Sequence, residues 1–283
     1  MAFFTNQAQL RYGNEITNSN ITVGEIQEVL TVTKTAVKET YRQGETVTYI
    51  ISIVNAGTAE YTGLTLSDDL GTYAFGTTTR TPLDYSAGTI RYYQNGVLQT
   101  APTVEAGPPL TITGVNVPAG GNATIVYETR LNAYAPLQLE AEITNVVTVS
   151  GTCVSGITAS ETVSAVAEPV LSITKSVSPV PVTECGRLTY TFVIQNTGNV
   201  PADSTTEVSV TDTFDPVLRN LTVTFNGTAW TAPTNYTYDE TTGMFTTVLG
   251  EVTVPAATYT QNSETGEWST NPGVSTLIVT GTI

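Results

Sequence analysis

An internal duplication restricts the fold of this 283-residue chain more than any other feature of its sequence. Leu30-Thr-Val-Thr-Lys34 matches Leu171-Ser-Ile-Thr-Lys175 at an offset of 141 residues (175 − 34). Further landmarks recur in the same order, at offsets that drift slightly: Thr48-Tyr49 with Thr189-Tyr190, Asn55-Ala-Gly57 with Asn196-Thr-Gly198, Leu64–Asp68 with Val208–Asp212, Val117-Pro-Ala119 with Val254-Pro-Ala256, and Thr124-Ile-Val126 with Thr276-Leu-Ile278. Because the order is preserved from end to end, the chain contains two copies of one structural unit.

Each copy has the sequence pattern of a β-sandwich. Short runs of alternating apolar and polar residues are separated by turn residues at spacings of roughly 8 to 12 positions. Asn95-Gly96 and Asn226-Gly227 indicate two-residue hairpin turns, because both central positions of such a turn need positive φ. We predict an all-β fold of two tandem antiparallel β-sandwiches. The predicted boundaries are an N-terminal strand and linker at 1–26, the first sandwich at 27–151, a linker at 152–168 and the second sandwich at 169–283.

The second copy ends before it reaches a closing strand. Thr276–Ile283 corresponds to Thr124–Leu131, after which the first copy continues through a loop to a last strand at Ile143–Val149. A sandwich without this strand exposes an apolar groove flanked by unpaired backbone groups, which is an aggregation hazard. We therefore predict that the second sandwich lacks its last strand and receives one from elsewhere.

A near copy of the closing strand lies at the N-terminus. Phe4-Thr-Asn-Gln-Ala-Gln-Leu10 aligns with Ile143–Val149 at an offset of 139 residues (145 − 6), and a strand here places Phe4, Asn6, Ala8 and Leu10 on one face. We predict that strand 3–12 of one molecule completes the C-terminal sandwich of the next by donor-strand complementation. Such a contact is heterologous, so it propagates into a head-to-tail homopolymer. The alternative is that residues 1–26 form a disordered leader or an edge strand.

Three polar residues of each copy fall on the core-facing phase of their strands. The first copy has Lys34, Asp68 and Asn145, and the second has Lys175 and Asp212, with Asn6 supplied by a neighbouring molecule. Buried Lys, Asp and Asn side chains are costly unless they meet one another. The sequence therefore predicts that each set comes together inside its sandwich, the second set between two subunits.

Such a set can form an amide crosslink. A desolvated Lys loses its proton and becomes a nucleophile, and a protonated Asp polarises the Asn carboxamide, so that ammonia leaves and a Lys–Asn isopeptide bond remains. Three alternatives stay open: a buried Lys–Asp pair that bonds Asn without covalent closure, Asp69 as the acid in the first copy, or strands shifted in phase so that all three residues face water.

Composition excludes several classes of function. A formal charge of −15 with only ten basic residues would repel nucleic acid and anionic membranes, and no apolar run is long enough for a transmembrane helix. The absence of His excludes Ser-His-Asp and Cys-His catalysis and ordinary zinc sites. The paired carboxylates Asp68-Asp69 and Asp212 with Asp215 lack the ligand spacing of a known calcium loop. We predict no enzyme activity, no cofactor and no metal.

The two cysteines, Cys153 and Cys185, are candidates for a disulfide within a subunit or between subunits. Two unpaired thiols are the equally simple alternative. The N-terminus also lacks the basic segment and apolar region of a conventional signal peptide.

The motifs Val32-Thr-Lys-Thr35, Gly44–Leu70 and Ile143–Val149 resemble the conserved-repeat domain of bacterial surface proteins known as domain of unknown function eleven. That resemblance covers nearly the whole chain and implies an Ig-like fold for both sandwiches and a role in a surface or stalk module. A member without a conventional signal peptide is similar to the subunits of spore-surface appendages. The order of Lys, Asp and Asn along the strands also resembles isopeptide-forming Ig-like domains of bacterial pilins and adhesins.

We accordingly predict a structural subunit of an extracellular filament on a bacterial cell or spore surface. The alternative is a monomeric adhesin or stalk module that binds glycan or a host protein. Its candidate contact residues are aromatic: Tyr92, Tyr93, Trp230, Tyr236 and Tyr238. Tyr is also common on the solvent face of sheets, which is the simpler explanation of this set.

Overall fold

The structure is a computed structural model that describes residues 2–283; Met1, the first residue of the predicted N-terminal segment, lies outside the described residues. Apart from one 3-10 turn at Ser204–Thr206, all its regular elements are strands, so the all-β prediction is confirmed. Within residues 2–283, no helix has the length and hydrophobicity needed to cross a membrane.

The N-terminal segment forms a hairpin of four short strands. They are β1 (Ala2–Asn6), β2 (Gln9–Tyr12), β3 (Glu15–Asn18) and β4 (Thr22–Ile26). β1 pairs with β4 and β2 pairs with β3, both antiparallel, around the two-residue turn Gly13-Asn14. Ser19 bridges the break between the two pairs, because its amide donates to Ala8 O at 2.9 Å and its hydroxyl accepts from Ala8 N at 2.9 Å.

The first hydrophobic core lies between two six-stranded sheets. Their strands are β5 (Leu30–Ala36), β6 (Thr40–Tyr41), β7 (Thr46–Asn55), β8 (Tyr61–Asp68), β11 (Leu83–Tyr85), β12 (Arg91–Gln94), β13 (Val97–Leu98), β14 (Thr103–Glu105), β15 (Leu110–Val117), β16 (Asn122–Leu131), β17 (Glu142–Gly151) and β18 (Val154–Ala165). β9 (Tyr73–Phe75) and β10 (Thr78–Arg80) pair with each other in a separate two-stranded sheet.

The order of strands places the long β17–β18 hairpin along one side of this core. One sheet runs β13-β12-β16-β7-β5, with β11 also on β16, and the other runs β14-β15-β8-β17-β18-β6. Side chains alternate in and out along each strand, so that Val47, Tyr49, Ile51 and Ile53 of β7 are buried. Burial of a Val or Ile side chain contributes about 1.5–3 kcal/mol to the free energy of folding.

The second core is smaller and lies between a five-stranded and a three-stranded sheet. The five-stranded sheet runs β19-β20-β28-β22-β23 and the other runs β21-β25-β24. The strands are β19 (Leu171–Ser178), β20 (Arg187–Asn196), β21 (Thr211–Thr213), β22 (Arg219–Phe225), β23 (Thr228–Trp230), β24 (Tyr236–Asp239), β25 (Met244–Thr247) and β28 (Gly273–Thr282). β26 (Thr258–Gln261) and β27 (Trp268–Asn271) form a further hairpin.

Polar contacts join the two halves of the chain. The Arg42 guanidinium donates to Glu168 at 2.5 and 2.7 Å, and Asn199 Nδ2 donates to Leu137 O at 3.0 Å. The β26–β27 hairpin also reaches the first half of the chain, through Gln261 Nε2 to the Tyr73 hydroxyl at 2.9 Å. The end of the first sandwich that carries Arg42 therefore faces the start of the second.

Two predicted linkers form strands instead. The sequence pattern predicts a linker at 152–168, but β18 occupies 154–165 and belongs to the first core. The linker predicted after strand 3–12 is also wrong, since β3 and β4 lie there, and the predicted single strand 3–12 is interrupted between β1 and β2. Both errors have one cause: the polar residues of a hairpin whose outer face is exposed give the composition of a linker.

Candidate functional site

The first core brings together the three residues predicted for the first copy. Lys34 lies on β5, Asp68 ends β8 and Asn145 lies on β17, and all three are buried. Lys34 Nζ donates to Asp68 Oδ2 at 2.7 Å, with neither side chain exposed to solvent. All three side chains therefore lie inside the first sandwich.

Two tyrosines complete this cluster, and sequence reasoning missed both. The Tyr127 hydroxyl donates a short hydrogen bond to Asp68 Oδ2 and accepts one from Asn145 Nδ2 at 3.4 Å. Tyr49 stacks on Tyr127 with 5.7 Å between ring centroids, and Lys34 Nζ lies 5.0 Å from the Tyr49 ring centroid. The sequence signal for Tyr49 and Tyr127 was the alternation along β7 and β16. It places both side chains on the core-facing side of their strands, together with the apolar residues.

Burial controls the electrostatics of the cluster. Removal from water lowers the pKa of Lys34, and the neighbouring Asp68 carboxylate opposes that shift. Burial also raises the pKa of Tyr127 well above its usual value. The Oδ1 atom of Asn145 is buried and accepts no hydrogen bond from the described residues. An amine biased towards its neutral form, a carboxyl group and an unpaired amide carbonyl are the groups that amide exchange requires.

The second core contains the same pair in a more open setting. Lys175 forms a close ion pair with Asp212, but their side chains remain 41% and 18% exposed. Lys175 Nζ lies 4.7 Å from the Tyr190 ring centroid, as Lys34 lies over Tyr49. Asn6, the third predicted member, is exposed in the N-terminal hairpin and does not meet the pair within one chain.

The second core is open where the first is covered. β8 pairs with β15 on one side and β17 on the other, whereas its counterpart β21 pairs only with β25 among the described residues. Leu30 on β5 is 6% exposed, but its counterpart Leu171 on β19 is 37% exposed, and Ile173 is 52% exposed. Lys175 on β19 and Asp212 on β21 lie between this exposed face and this free edge, and we call the surface that they share the groove.

The N-terminal hairpin has the opposite imbalance, because its apolar side chains have no core to pack against. Phe4 and Leu10, predicted to face a partner sandwich, are 55% and 62% exposed, and Ala8 is exposed as well. Exposed apolar residues in this number are unusual unless they mark a contact surface.

Several other predicted sites have simpler roles. Asp69 Oδ1 accepts from the amides of Gly71 and Val146 at 2.9 Å each, which makes Asp69 a turn residue and leaves Asp68 in contact with Lys34. Cys153 and Cys185 are both exposed and unbonded. In the described part of the chain, no group of three or more His, Cys, Asp or Glu side chains could hold a metal ion.

The aromatic residues considered for glycan binding do not form an exposed surface. Tyr92 and Tyr236 are buried, which contradicts that part of the alternative prediction. Tyr93, Trp230 and Tyr238 are half-buried. The Trp230 ring stacks on Phe225 at 4.7 Å between centroids, and the Tyr238 hydroxyl bonds the backbone of Leu218. These rings fill gaps at the edge of the second core.

No family model matches this chain, and no curated protein matches it. Among solved structures, the chain is similar to the C-terminal domain of the antigen I/II-family protein AspA of Streptococcus pyogenes, at 12% identity and a TM-score of 0.35, over 90% of this chain and 92% of that one. It is similar to BcpA, the major pilin subunit of Bacillus cereus, at 12% identity and a TM-score of 0.35, over 96% and 73%. The pilus backbone RrgB of Streptococcus pneumoniae matches at 13% identity and a TM-score of 0.36, over 86% and 55%. Similarity at this level assigns no function to this chain.

Proposed function

We propose that this protein is the structural subunit of an extracellular filament on a bacterial cell or spore surface. In this filament the N-terminal segment of one molecule occupies the groove in the second sandwich of the next molecule. The contact joins two different surfaces, so it leaves one of each kind free at the ends and propagates head to tail.

The observation that carries this proposal is the difference between the two cores. In the first core, β17 pairs with the edge of β8, and Ile143, Val147 and Val149 of β17 are buried. In the second core the same edge and the same apolar face are open. The N-terminal segment carries a copy of β17 that is exposed in the single chain. Filling the groove with it would remove both exposed apolar surfaces from water.

A covalent bond within the first core is the second part of the proposal. The Lys34 ammonium transfers a proton to the Asp68 carboxylate, and the neutral amine attacks Cγ of Asn145. The new C–N bond forms as the old one breaks, protons pass through the Asp68 carboxyl group, and one molecule of ammonia leaves. No oxidant or other reactant is consumed. Tyr127 holds Asp68 and Asn145 in place during this exchange.

The second core would form the same bond between subunits, from Lys175 to Asn6 of the neighbouring molecule. In the single chain the Lys175 side chain is 41% exposed, and no amide carbon is supplied to its amine. Arrival of the N-terminal segment would bury the Lys175–Asp212 pair and supply the amide together. The crosslink would therefore follow assembly and could not precede it.

Electron microscopy of the purified protein tests assembly. The full chain should form fibres, whereas a variant lacking residues 1–26 should stay monomeric. Added in small amounts to full-length protein, that variant should shorten the fibres, because it still offers a groove but donates nothing. Fibres made by the deletion variant alone would refute the proposal.

Intact-mass measurement tests the bonds separately. The folded protein should weigh less than its sequence by one ammonia per crosslink, and Asn145→Ala should remove the loss from the first core. Fibres should also give a ladder on denaturing gels that Asn6→Ala abolishes without abolishing the fibres. An unchanged mass would refute the covalent part and leave assembly standing.

A further inference from the structure

We infer that the segment exchanged between subunits is the whole N-terminal hairpin, residues 2–26, docked as a preformed two-stranded unit. This inference rests on the proposed function and specifies its contact. It differs from the exchange of one strand, because the return arm of the hairpin, β3 and β4, also takes a place in the acceptor sandwich.

The N-terminal hairpin matches the β17–β18 hairpin along both arms, except that its one-residue register shift lies between Asn6 and Gln9 rather than after Val149. Asn6 is paired with Thr22, and Asn145 is paired with Glu161. The offset is 139 residues on the outgoing arm (145 − 6) and again 139 on the return arm (161 − 22). Each hairpin closes with a two-residue turn, Gly13-Asn14 in one and Thr152-Cys153 in the other. The two hairpins are therefore copies of one element, with the same register from Phe3 to Asn6 and again at the turn.

The two hairpins also have the same position relative to the next sandwich along the chain. A short connection joins β18 to β19, the first strand of the second sandwich, and another joins β4 to β5, the first strand of the first. β17 and β18 nevertheless belong to the preceding core. By the same rule the N-terminal hairpin belongs to a sandwich that precedes β5, and residues 2–283 contain none. The second sandwich of another copy is the sandwich that lacks this element.

The return arm has its own role in the first core. Val163 of β18 is fully buried, and β18 shields β5, whose residue Leu30 is buried. In the N-terminal hairpin, Gly24 stands at the position of Val163 and Phe4 at that of Ile143. A Cβ atom added at Gly24 would collide with the Phe4 ring, so the larger residue on one arm fills the space left by the smaller one on the other. The inward face requires both arms together.

The repeat also gives the register of docking. Val147 pairs with Asp68 in the first core. Shifted by the offsets of the two copies, Ala8 of the donor lies opposite Asp212 of the acceptor (147 − 139 = 8; 68 + 144 = 212). Asn6 then lies two residues away on the same arm, as Asn145 does from Val147. The polar residues predicted to meet between subunits are thus brought to one place by the same register.

A locked hairpin separates this inference from one-strand exchange. Thr5 and Val23 are direct partners on the outer face of the hairpin. A variant with Thr5→Cys and Val23→Cys, in a background with Cys153→Ser and Cys185→Ser, can be oxidised before assembly so that its arms cannot separate. Oxidised and reduced protein should form fibres at the same rate. If only the reduced form assembles, the donor is a single strand; if neither assembles, the proposed function fails with the inference.

A labelling experiment examines the return arm directly. Ile173→Cys, in the same thiol-free background, places a thiol on the exposed face of β19. A maleimide should label this thiol in a monomer that lacks residues 1–26. In fibres of the full-length chain, the labelling rate should be at least tenfold lower. A thiol that stays equally reactive in fibres would show that β19 is not covered and would overturn the inference.

Discussion

Lys34 and Asp68 form an ion pair in the centre of the first core, where water cannot reach either group. Desolvation of two charges costs several kcal/mol per ion, and the pair persists only if further hydrogen bonds satisfy the carboxylate. Tyr127 and the Leu70 amide, at 3.0 Å from Asp68 Oδ1, provide those bonds. The pair is therefore sensitive to the loss of either partner.

In an Asn145→Ala background, which cannot form the proposed amide bond, we expect Lys34→Met to lower the free energy of unfolding by about 3–5 kcal/mol, because it leaves the Asp68 charge buried without its cation. Guanidinium titration followed by fluorescence measures the change. Lys38→Met is the matched control: its pair with Glu45 is partly exposed, so we expect a loss below about 1 kcal/mol. Equal effects of the two substitutions would contradict the assignment of Lys34 to a desolvated site.

Alkaline pH should destabilise the protein through its buried tyrosines. Burial raises the pKa of Tyr41, Tyr49 and Tyr127 above the ordinary value of 10.0 that applies in the unfolded chain. The unfolded state then releases protons that the folded state retains, so stability present below pH 10 is lost as the pH rises above it.

Unfolding titrations between about pH 9 and 11 measure this loss. Tyr127→Phe should make the decline shallower, whereas Tyr12→Phe, at an exposed position, should leave its slope unchanged. If Tyr127→Phe leaves the slope of unfolding free energy against pH unchanged, the pKa of the Tyr127 phenol is not raised in the folded protein.

At the scale of elements, the hairpins were the hardest feature to predict. The outer positions of β18 are polar, among them Thr158, Ser160 and Thr162, and its inner positions include the small Ala159. Such a strand lacks the run of large apolar residues that identifies strands such as β7. Its identity comes from pairing with β17, which is a long-range property. Strand phase, in contrast, followed from local alternation, so the inward positions of Lys34, Asp68 and Asn145 could be predicted.

The two faces of the N-terminal hairpin should differ in their importance for assembly. Phe4→Asp with Leu10→Asp places charges on the face that corresponds to the buried side of β17, and we expect fibres to be lost. Phe3→Asp with Val23→Asp is the matched control, since these exposed apolar residues lie on the opposite face. Sedimentation of fibres after a fixed time quantifies both, and loss of fibres only in the control pair would mean that the hairpin docks through its other side.

At the scale of the molecule, the groove beside β21 could be predicted from the repeat, because the second copy, at 169–283, contains no equivalent of β17. The contacts between the two sandwiches could not, since they depend on loops whose lengths differ between the copies. Arg42 with Glu168 and Asn199 with Leu137 are examples. No periodicity encodes such contacts.

The cysteines lie at opposite free ends of the molecule. Cys153 is in the turn of the β17–β18 hairpin, at the end of the first sandwich away from Arg42, and Cys185 is in the loop between β19 and β20, at the far end of the second. In the proposed filament, head-to-tail stacking would bring these two ends to the same junction. A small-molecule disulfide, which accepts the two electrons, should therefore convert fibres into a ladder on non-reducing gels.

The comparison should use Asn6→Ala fibres, which lack the proposed amide crosslink between subunits. Cys153→Ser and Cys185→Ser should each remove the ladder. If a disulfide forms instead between Cys153 and Cys185 of the same molecule, the proposed head-to-tail arrangement of subunits is ruled out.

The β26–β27 hairpin has a mechanical consequence. It arises from 15 residues (152 − 137) inserted where the first copy has a short turn, and it ties the sandwiches together through Tyr73, Ala133 and Arg80. The first sandwich has no such insertion at its own outer end. In the proposed filament, junctions inside subunits are braced and junctions between subunits are not, so stiff rods of two sandwiches alternate with hinges. Curvature under load should concentrate at every second junction.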